Sequence, residues 1–92
     1  MTAIELSKKD PTALTFDGSV LEIFDFEGSS RFHLGLITKV EVTTDKKGKH
    51  NLKIDVAGDG GLDGIKVDES AFPKVTQLIA ELERAKAAFQ FD

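Results

Sequence analysis

The sequence predicts a mainly β domain that ends in one α-helix, and three observations predict it. Up to about residue 67, apolar side chains recur at every second position in several short runs. Polar turns rich in glycine separate those runs. From about residue 70 the apolar period changes to nearly four, which is typical of an amphipathic helix. The 92 residues suffice for one small core, so 1–92 is interpreted as a single domain.

The first predicted elements are a strand over residues 2–7 and a hairpin built on "ALTFDGSVLEI". Asp17-Gly18 is a favoured two-residue hairpin turn. Pairing outward from that turn places Leu14 opposite Leu21. Four side chains then share the inner face of the hairpin: Leu14, Phe16, Leu21 and Ile23.

Phe24 and Phe26 disturb this pattern, because strict alternation directs both to the outer face with Glu22. A bulge near Asp25 would return Phe26 to the core. Two interpretations remain open for these phenylalanines. Either the strand end is covered on both faces, or it presents an apolar patch to a partner chain.

Four more strands follow, at "RFHL", "TKVEVTT", "HNLKIDVA" and "GIKVD", with Gly35 as a break after the first of them. Their expected inward residues are all apolar: Phe32, Leu34, Val40, Val42, Leu52, Ile54, Val56, Ile65 and Val67.

The C-terminal helix is predicted from a single apolar stripe. Its members are Phe72, Val75, Leu78, Ile79, Leu82, Ala85 and Phe89. Ser70 is the expected N-cap, and Pro73 falls in the first turn, where its missing N–H costs nothing.

Composition excludes several classes of function. The chain has no cysteine, so it can form neither disulfides nor thiolate metal sites, which suits a cytoplasmic location. Its net charge of −4 disfavours nucleic acid and anionic membranes as partners. The two histidines, His33 and His50, lack metal-ligand spacing. Ser29 and Ser30 are interpreted as turn residues rather than nucleophiles.

The stretch "GDGGLDGIKVDES" has the composition of a calcium loop but not its spacing. Asp59 and Asp63 match two ligand positions of an EF-hand, whereas Gly61 and Ser70 occupy positions that need oxygen-bearing acidic or amide side chains. The glycines suit a chain reversal between strands. We therefore expect a turn, and we predict no metal, cofactor or catalytic residue in this protein.

The predicted order resembles that of the pleckstrin-homology superfamily, in particular its small bacterial domains. The resemblance is carried by "RFHLGLITKVEV" (31–42) and "GIKVDESAFPKVTQLIAEL" (64–82). It implies a partly open, seven-stranded antiparallel barrel of two near-orthogonal sheets, capped by the C-terminal helix. It also implies a non-enzymatic binding or assembly module.

The resemblance further implies a peptide groove between residues 38–44 and the helix, where a ligand adds a strand. The candidate groove residues are Val42, Thr44, Leu78, Leu82 and Arg84. Candidates for self-association into a homo-oligomer are Phe24, Phe26, Phe89 and Phe91. The alternatives are a small ligand held inside the barrel, or a membrane-surface adaptor that contacts anionic phospholipid. The candidate anion contacts are Lys8, Lys9, Lys46, Lys47 and Lys49.

Overall fold

The structure is a computed structural model that describes residues 2–25, 27–58 and 60–89. Its elements, in chain order, are β1 (Thr2–Ser7), β2 (Thr12–Phe16), β3 (Val20–Asp25), β4 (Gly28–His33), β5 (Ile37–Thr44), β6 (His50–Val56), β7 (Leu62–Val67) and α1 (Phe72–Ala88). They form two antiparallel sheets, β1-β2-β3-β4 and β5-β6-β7. The predicted mainly β fold with one C-terminal helix is confirmed. Within the described ranges, no helix has the length and apolar content needed to cross a lipid bilayer.

The β2–β3 hairpin has a different register from the one predicted. Leu14 pairs with Ile23 rather than with Leu21, so the prediction of an Asp17-Gly18 turn is wrong. The loop lies one position later, at residues 18–19. The register therefore moves by two residues, and a shift of two leaves every side chain on its original face. For this reason the predicted inner face of the hairpin is buried as expected.

The side chain of Asp17 explains why the loop lies one residue further along the chain than predicted. One oxygen of its carboxylate accepts the backbone N–H groups of Ser19 and Val20, each at 2.8 Å. These bonds satisfy two amides of the loop, and an aspartate can accept them in this way only where it precedes the loop. The same bonds hold the pKa of the Asp17 carboxyl below its usual value, and the bond from Val20 contributes most.

The end of β3 contains no bulge in the described residues. Its pairing with β4 is regular through Phe24 and Asp25. As far as Asp25, therefore, the bulge expected near that residue is not present, and the expectation is wrong. Phe24 stays on the outer face and is 39% exposed, which favours the patch interpretation over the covered one. Phe26 lies outside the described residues.

β4 begins at Gly28, earlier than predicted, and a 3-10 turn at Leu34–Leu36 follows it. Leu34 is buried in that turn rather than in a strand. Gly35 lies inside the turn, at the break that the sequence predicts.

In the described strands, β-bulges in β1, β5 and β7 bring to the core side pairs of side chains that strict alternation would place on opposite faces. In β1 the bulge buries the adjacent residues Leu6 and Ser7. In β5 the extra residue is Thr38, so that Ile37 and Val40, three positions apart, both face inward. The β7 bulge contains Gly64, whose φ of 71° is the left-handed conformation that glycine adopts at such sites.

The core lies between the two sheets and under α1. Its buried apolar residues are Ile4, Leu6, Leu14, Phe16, Leu21, Ile23, Leu34, Ile37, Val40, Leu52, Ile54, Val67, Ala71, Val75, Leu78 and Leu82. The helix contributes Val75, Leu78 and Leu82 from the predicted stripe.

The start of α1 differs from the prediction. Its N-cap is Ala71, with no side-chain cap, so the expected Ser70 cap is wrong. The carbonyl oxygen of Asp68 accepts the N–H groups of both Ala71 and Phe72, and this turn replaces a side-chain cap. Pro73 lies in the first turn as predicted.

The helix is attached to both sheets. Thr2 of β1 donates a hydrogen bond to the Glu81 carboxylate at 3.3 Å. Lys86 donates to the backbone carbonyl of Thr38 in β5 at 2.8 Å. Since these contacts lie on opposite flanks of α1, the helix bridges the sheets.

Candidate functional site

The free edge of β5 is the first feature of the candidate site. β5 is eight residues long and, within the described residues, pairs only with β6. A type I turn with a glycine bulge closes this hairpin: Gly48 N–H donates to the Asp45 carbonyl at 3.0 Å, and Asp45 N–H donates to the Lys49 carbonyl at 2.9 Å. Gly48 supplies the positive φ of 81° that the turn requires.

This closing pair determines which backbone groups point outward. In an antiparallel ladder, hydrogen-bonded and non-hydrogen-bonded pairs alternate. Because Asp45 and Lys49 form a bonded pair, Thr44 and Val42 belong to non-bonded pairs with His50 and Leu52. Their N–H and C=O groups therefore point away from β6, towards the free edge.

The helix runs alongside this edge in the opposite direction. Phe72 at its start stacks on His50, which pairs with Thr44 at the end of β5. Lys86 near its end reaches Thr38 at the start of β5. The intervening lengths match, at about 20 Å for the strand and about 21 Å for the helix. The groove is thus fixed at both ends.

The predicted groove residues fall into three groups. Val42 is half-buried and Thr44 is exposed beside the edge. Leu78 and Leu82 are fully buried, so they support the groove from the core and have no surface to offer a ligand.

Arg84 does not lie beside β5. At 100° per residue, it is about 160° around the helix from Lys86, which contacts β5. Ile79 and Lys86 are on the flank that faces β5. The period of the stripe identifies the buried side of the helix but not which flank meets β5, because that depends on tertiary contacts.

His50 is at one end of the groove and is only 8% exposed. Its Nδ1 shares a hydrogen bond of 2.7 Å with the Thr44 hydroxyl, and its Nε2 shares one of 2.6 Å with the Glu69 carboxylate. The ring stacks on Phe72, with centroids 4.0 Å apart. Because an ionised carboxylate only accepts, the neutral ring carries its proton on Nε2 and accepts from Thr44 on Nδ1.

The order hydroxyl, imidazole, carboxylate is also that of a nucleophile, base and acid triad. A triad needs hydrogen-bond donors near the hydroxyl for a developing oxyanion. In the adjacent turn, the amides of Lys47 and Lys49 are already bound to the Asp45 carboxylate, at 2.8 and 2.9 Å. The network links the β5–β6 hairpin to the start of α1, because Thr44 and His50 belong to the hairpin while Glu69 and Phe72 lie at the start of the helix.

Sequence reasoning missed this network. Thr44 and His50 flank the "DKKGK" turn evenly, so their pairing is predictable from the sequence. Glu69 is 19 residues beyond His50 and no local pattern connects them.

The candidates for self-association are separated in the structure. Phe24 is on the outer face of the first sheet, opposite Ala13 and Ser29. Phe89 packs against the core and makes an edge contact with His33, with ring centroids 5.3 Å apart. Phe91 lies outside the described residues. Ser29 and His33 are four positions apart in β4, so the two described phenylalanines lie against different parts of that strand.

The candidate anion contacts come from two turns, and the structure brings one lysine of each together. Lys9 and Lys49 both line a cleft of ≈ 400 Å³. Lys66 also lines it, but so do four carboxylates, those of Asp10, Asp45, Asp68 and Glu69. The lining has a net charge of −1 with neutral His50, which disfavours a phosphate ligand.

The loop between β6 and β7 covers residues 57–61, and its glycines Gly58 and Gly60 have the positive φ values of 84° and 123° that suit a chain reversal. Asp63 lies beyond it, in β7, where its carboxylate accepts the N–H of Gly64 at 2.7 Å. Asp59 lies outside the described residues. Among the residues that the structure describes, no three His, Cys, Asp or Glu side chains are grouped so that they could hold a metal ion. No family model, curated protein or solved structure matches this chain.

Proposed function

We propose that this chain is a non-enzymatic binding module that holds an extended segment of a partner protein along the free edge of β5. The single observation that carries the proposal is the fixed spacing between an unpaired strand edge and an antiparallel helix. Outward backbone groups at Val42 and Thr44 provide the hydrogen bonds of an added strand. Half-buried Val42 and Ile79 provide apolar contacts beside it.

The fold supports the same proposal by analogy. The chain forms a four-stranded sheet, then a three-stranded sheet, and then one helix that bridges the two. This is the order expected of a pleckstrin-homology-like domain. We infer that the sheets form a partly open barrel of that type. Such an analogy raises the expectation of ligand binding but identifies no ligand.

Charged side chains on the solvent face of β5 favour a partner protein over a second copy of this chain. Lys39 and Glu41 form an ion pair of 3.2 Å there, and edge charges of this kind oppose pairing between like edges.

The test is selection of binders from a displayed library of random peptides, followed by mapping on backbone amides by NMR. The decisive variant is Val42→Pro. It removes an outward N–H and leaves the β5–β6 ladder intact, since proline is tolerated at such edge positions. We expect a loss of about 1–3 kcal/mol of binding free energy, or roughly 5- to 150-fold in Kd.

The matched control is Arg31→Pro. Arg31 is on the edge strand β4 of the other sheet, in a pair with Glu22 that also directs its N–H outward. It should leave the affinity of a β5 ligand unchanged. Far-UV circular dichroism must show that both variants fold. Equal losses in the two variants, or binding that survives Val42→Pro, contradict the proposal.

A further inference from the structure

A second cavity lies away from the β5 groove, between the ends of strands from both sheets. It has a volume of ≈ 590 Å³. Its walls are the turn after β1, the β3–β4 hairpin and β7. We call it the mouth cavity. Its volume is within the range of ligand-binding sites in proteins, about 300–1,000 Å³.

The floor of the mouth cavity is apolar. Ile23 of β3 is buried there, and Leu62 and Ile65 of β7 are half-buried. The β7 bulge at Gly64 places Leu62 and Ile65 on the same side although they are three positions apart. Apolar side chains of a ligand can therefore contact the floor.

The walls are strongly acidic. Four carboxylates line the cavity, those of Asp10, Asp25, Glu27 and Asp63, against the single lysine Lys66. The local net charge of −3 is most of the net −4 of the whole chain. Lys66 pairs with Asp10 at 3.4 Å, so the other three carboxylates have no cation from the cavity wall.

The acidic side chains do not converge on one point. No group of three in the described chain could hold a metal ion. Asp25 and Asp63 each accept a neighbouring backbone N–H, from Glu27 at 2.8 Å and from Gly64 at 2.7 Å, which keeps them at their own ends of the wall. Charges spread along a wall favour a ligand with several separated positive charges over a single ion.

Two strand edges border the same space. β4 is the last strand of the first sheet and β7 is the last strand of the second. Residues 28–30 of β4 and 62–66 of β7 line the cavity. Edge strands offer backbone hydrogen bonds to an extended chain.

From the apolar floor, the acidic walls and the two strand edges, we infer that the mouth cavity binds an extended peptide segment of a partner protein in which lysine or arginine alternates with apolar residues. This site shares no residue with the β5 groove. Each of the two proposals can therefore fail without the other.

The experiment uses a labelled, end-capped Lys-Val-Lys-Val-Lys peptide, with Glu-Val-Glu-Val-Glu as the charge-reversed probe. Binding is measured by fluorescence anisotropy and mapped on backbone amides by NMR. We expect saturable binding of the basic peptide only, with shifted amides in β4 and β7. Binding should weaken as salt rises, because the Debye length falls from about 10 Å at 0.1 M to about 3 Å at 1 M.

The double variant Asp25→Asn, Glu27→Gln removes two charges and keeps the oxygen that accepts the turn amide. We expect it to weaken binding roughly 2- to 30-fold, from the usual range of exposed charge pairs. The control Glu41→Gln, Glu83→Gln removes two carboxylates elsewhere and should change Kd by less than about twofold. If the double variant does not fold, Asp63→Asn replaces it.

Three results would overturn the inference. They are no saturable binding of the basic peptide, equal binding of the acidic one, and a loss confined to the Glu41, Glu83 control. The last result would place the basic peptide on β5 instead.

Discussion

Replacing His50 by alanine should destabilise the protein more than replacing the other histidine, His33. The His50 ring is buried and makes two short hydrogen bonds and one aromatic stack. Each hydrogen bond contributes about 0.5–1.5 kcal/mol net to stability. The stack contributes about 0.5–1.5 kcal/mol.

The partners limit the further cost of the replacement. Thr44 is exposed, and the Glu69 side chain is 85% exposed, so water can solvate both once the ring is gone. No buried polar group would be stranded. We therefore expect His50→Ala to lower the free energy of unfolding by about 1.5–4.5 kcal/mol. For 92 residues this is a large fraction of a total of about 5–14 kcal/mol.

The assay is urea unfolding followed by far-UV circular dichroism, because the chain has neither tryptophan nor tyrosine as a fluorescent probe. The melting temperature should fall by about 4–8 °C for each kcal/mol lost. His33→Ala is the comparison: His33 is exposed, accepts one hydrogen bond from Gly35 at 3.0 Å and makes one edge contact with Phe89, so its loss should cost less than that of buried His50. A His50→Ala protein within about 0.5 kcal/mol of the wild type, or no less stable than His33→Ala, would refute the reasoning.

Three further predictions concern the fold. Leu82→Ala should cost about 2–5 kcal/mol of unfolding free energy in urea, because it opens a cavity in a site that is fully buried; a cost below about 1 kcal/mol would show that the helix is not packed as described. Gly64→Ala should cost about 1–2 kcal/mol in the same assay, from the positive φ alone, because no atom lies within 4 Å of the added Cβ. The pKa of Asp17 is lowered from 3.8 in the folded state, so its stabilising contribution is present above that value and is lost as pH falls through the folded pKa. Asp17→Asn should therefore be less stable than wild type at neutral pH, with the difference vanishing in acid; a difference that is independent of pH would contradict this.

Much of the fold was predictable because alternation decides which side of a strand is buried. The predicted inner faces of β2 and β3 are correct although the predicted register is wrong, because the register differs by two residues and such a shift leaves each side chain on the same face. The helix is predictable from its stripe alone.

The features that sequence reasoning missed depend on contacts between distant segments. The Thr38 bulge forms because Ile37 and Val40 both reach the core, which no local pattern indicates. The Ser70 cap is replaced by a turn on Asp68. Lys86, rather than the predicted Arg84, lies beside β5 because of the way the helix is rotated against the sheets.

Burial decides which of the proposed groove residues could contact a ligand. Residues 38–44 and the helix lie side by side, with Lys86 on Thr38 at one end and Phe72 on His50 at the other. Which side chains remain accessible there follows only from burial: Val42 and Thr44 do, whereas Leu78 and Leu82 do not.

The most direct test of the central proposal, strand addition at β5, is amide hydrogen exchange along this strand with and without a selected peptide. We predict that Glu41 and Thr43, which bond to β6, exchange slowly in both states. Val42 and Thr44 should exchange faster in the free protein and become protected in the complex. Protection that appears only elsewhere, with Val42 and Thr44 unchanged, would contradict binding at the β5 edge.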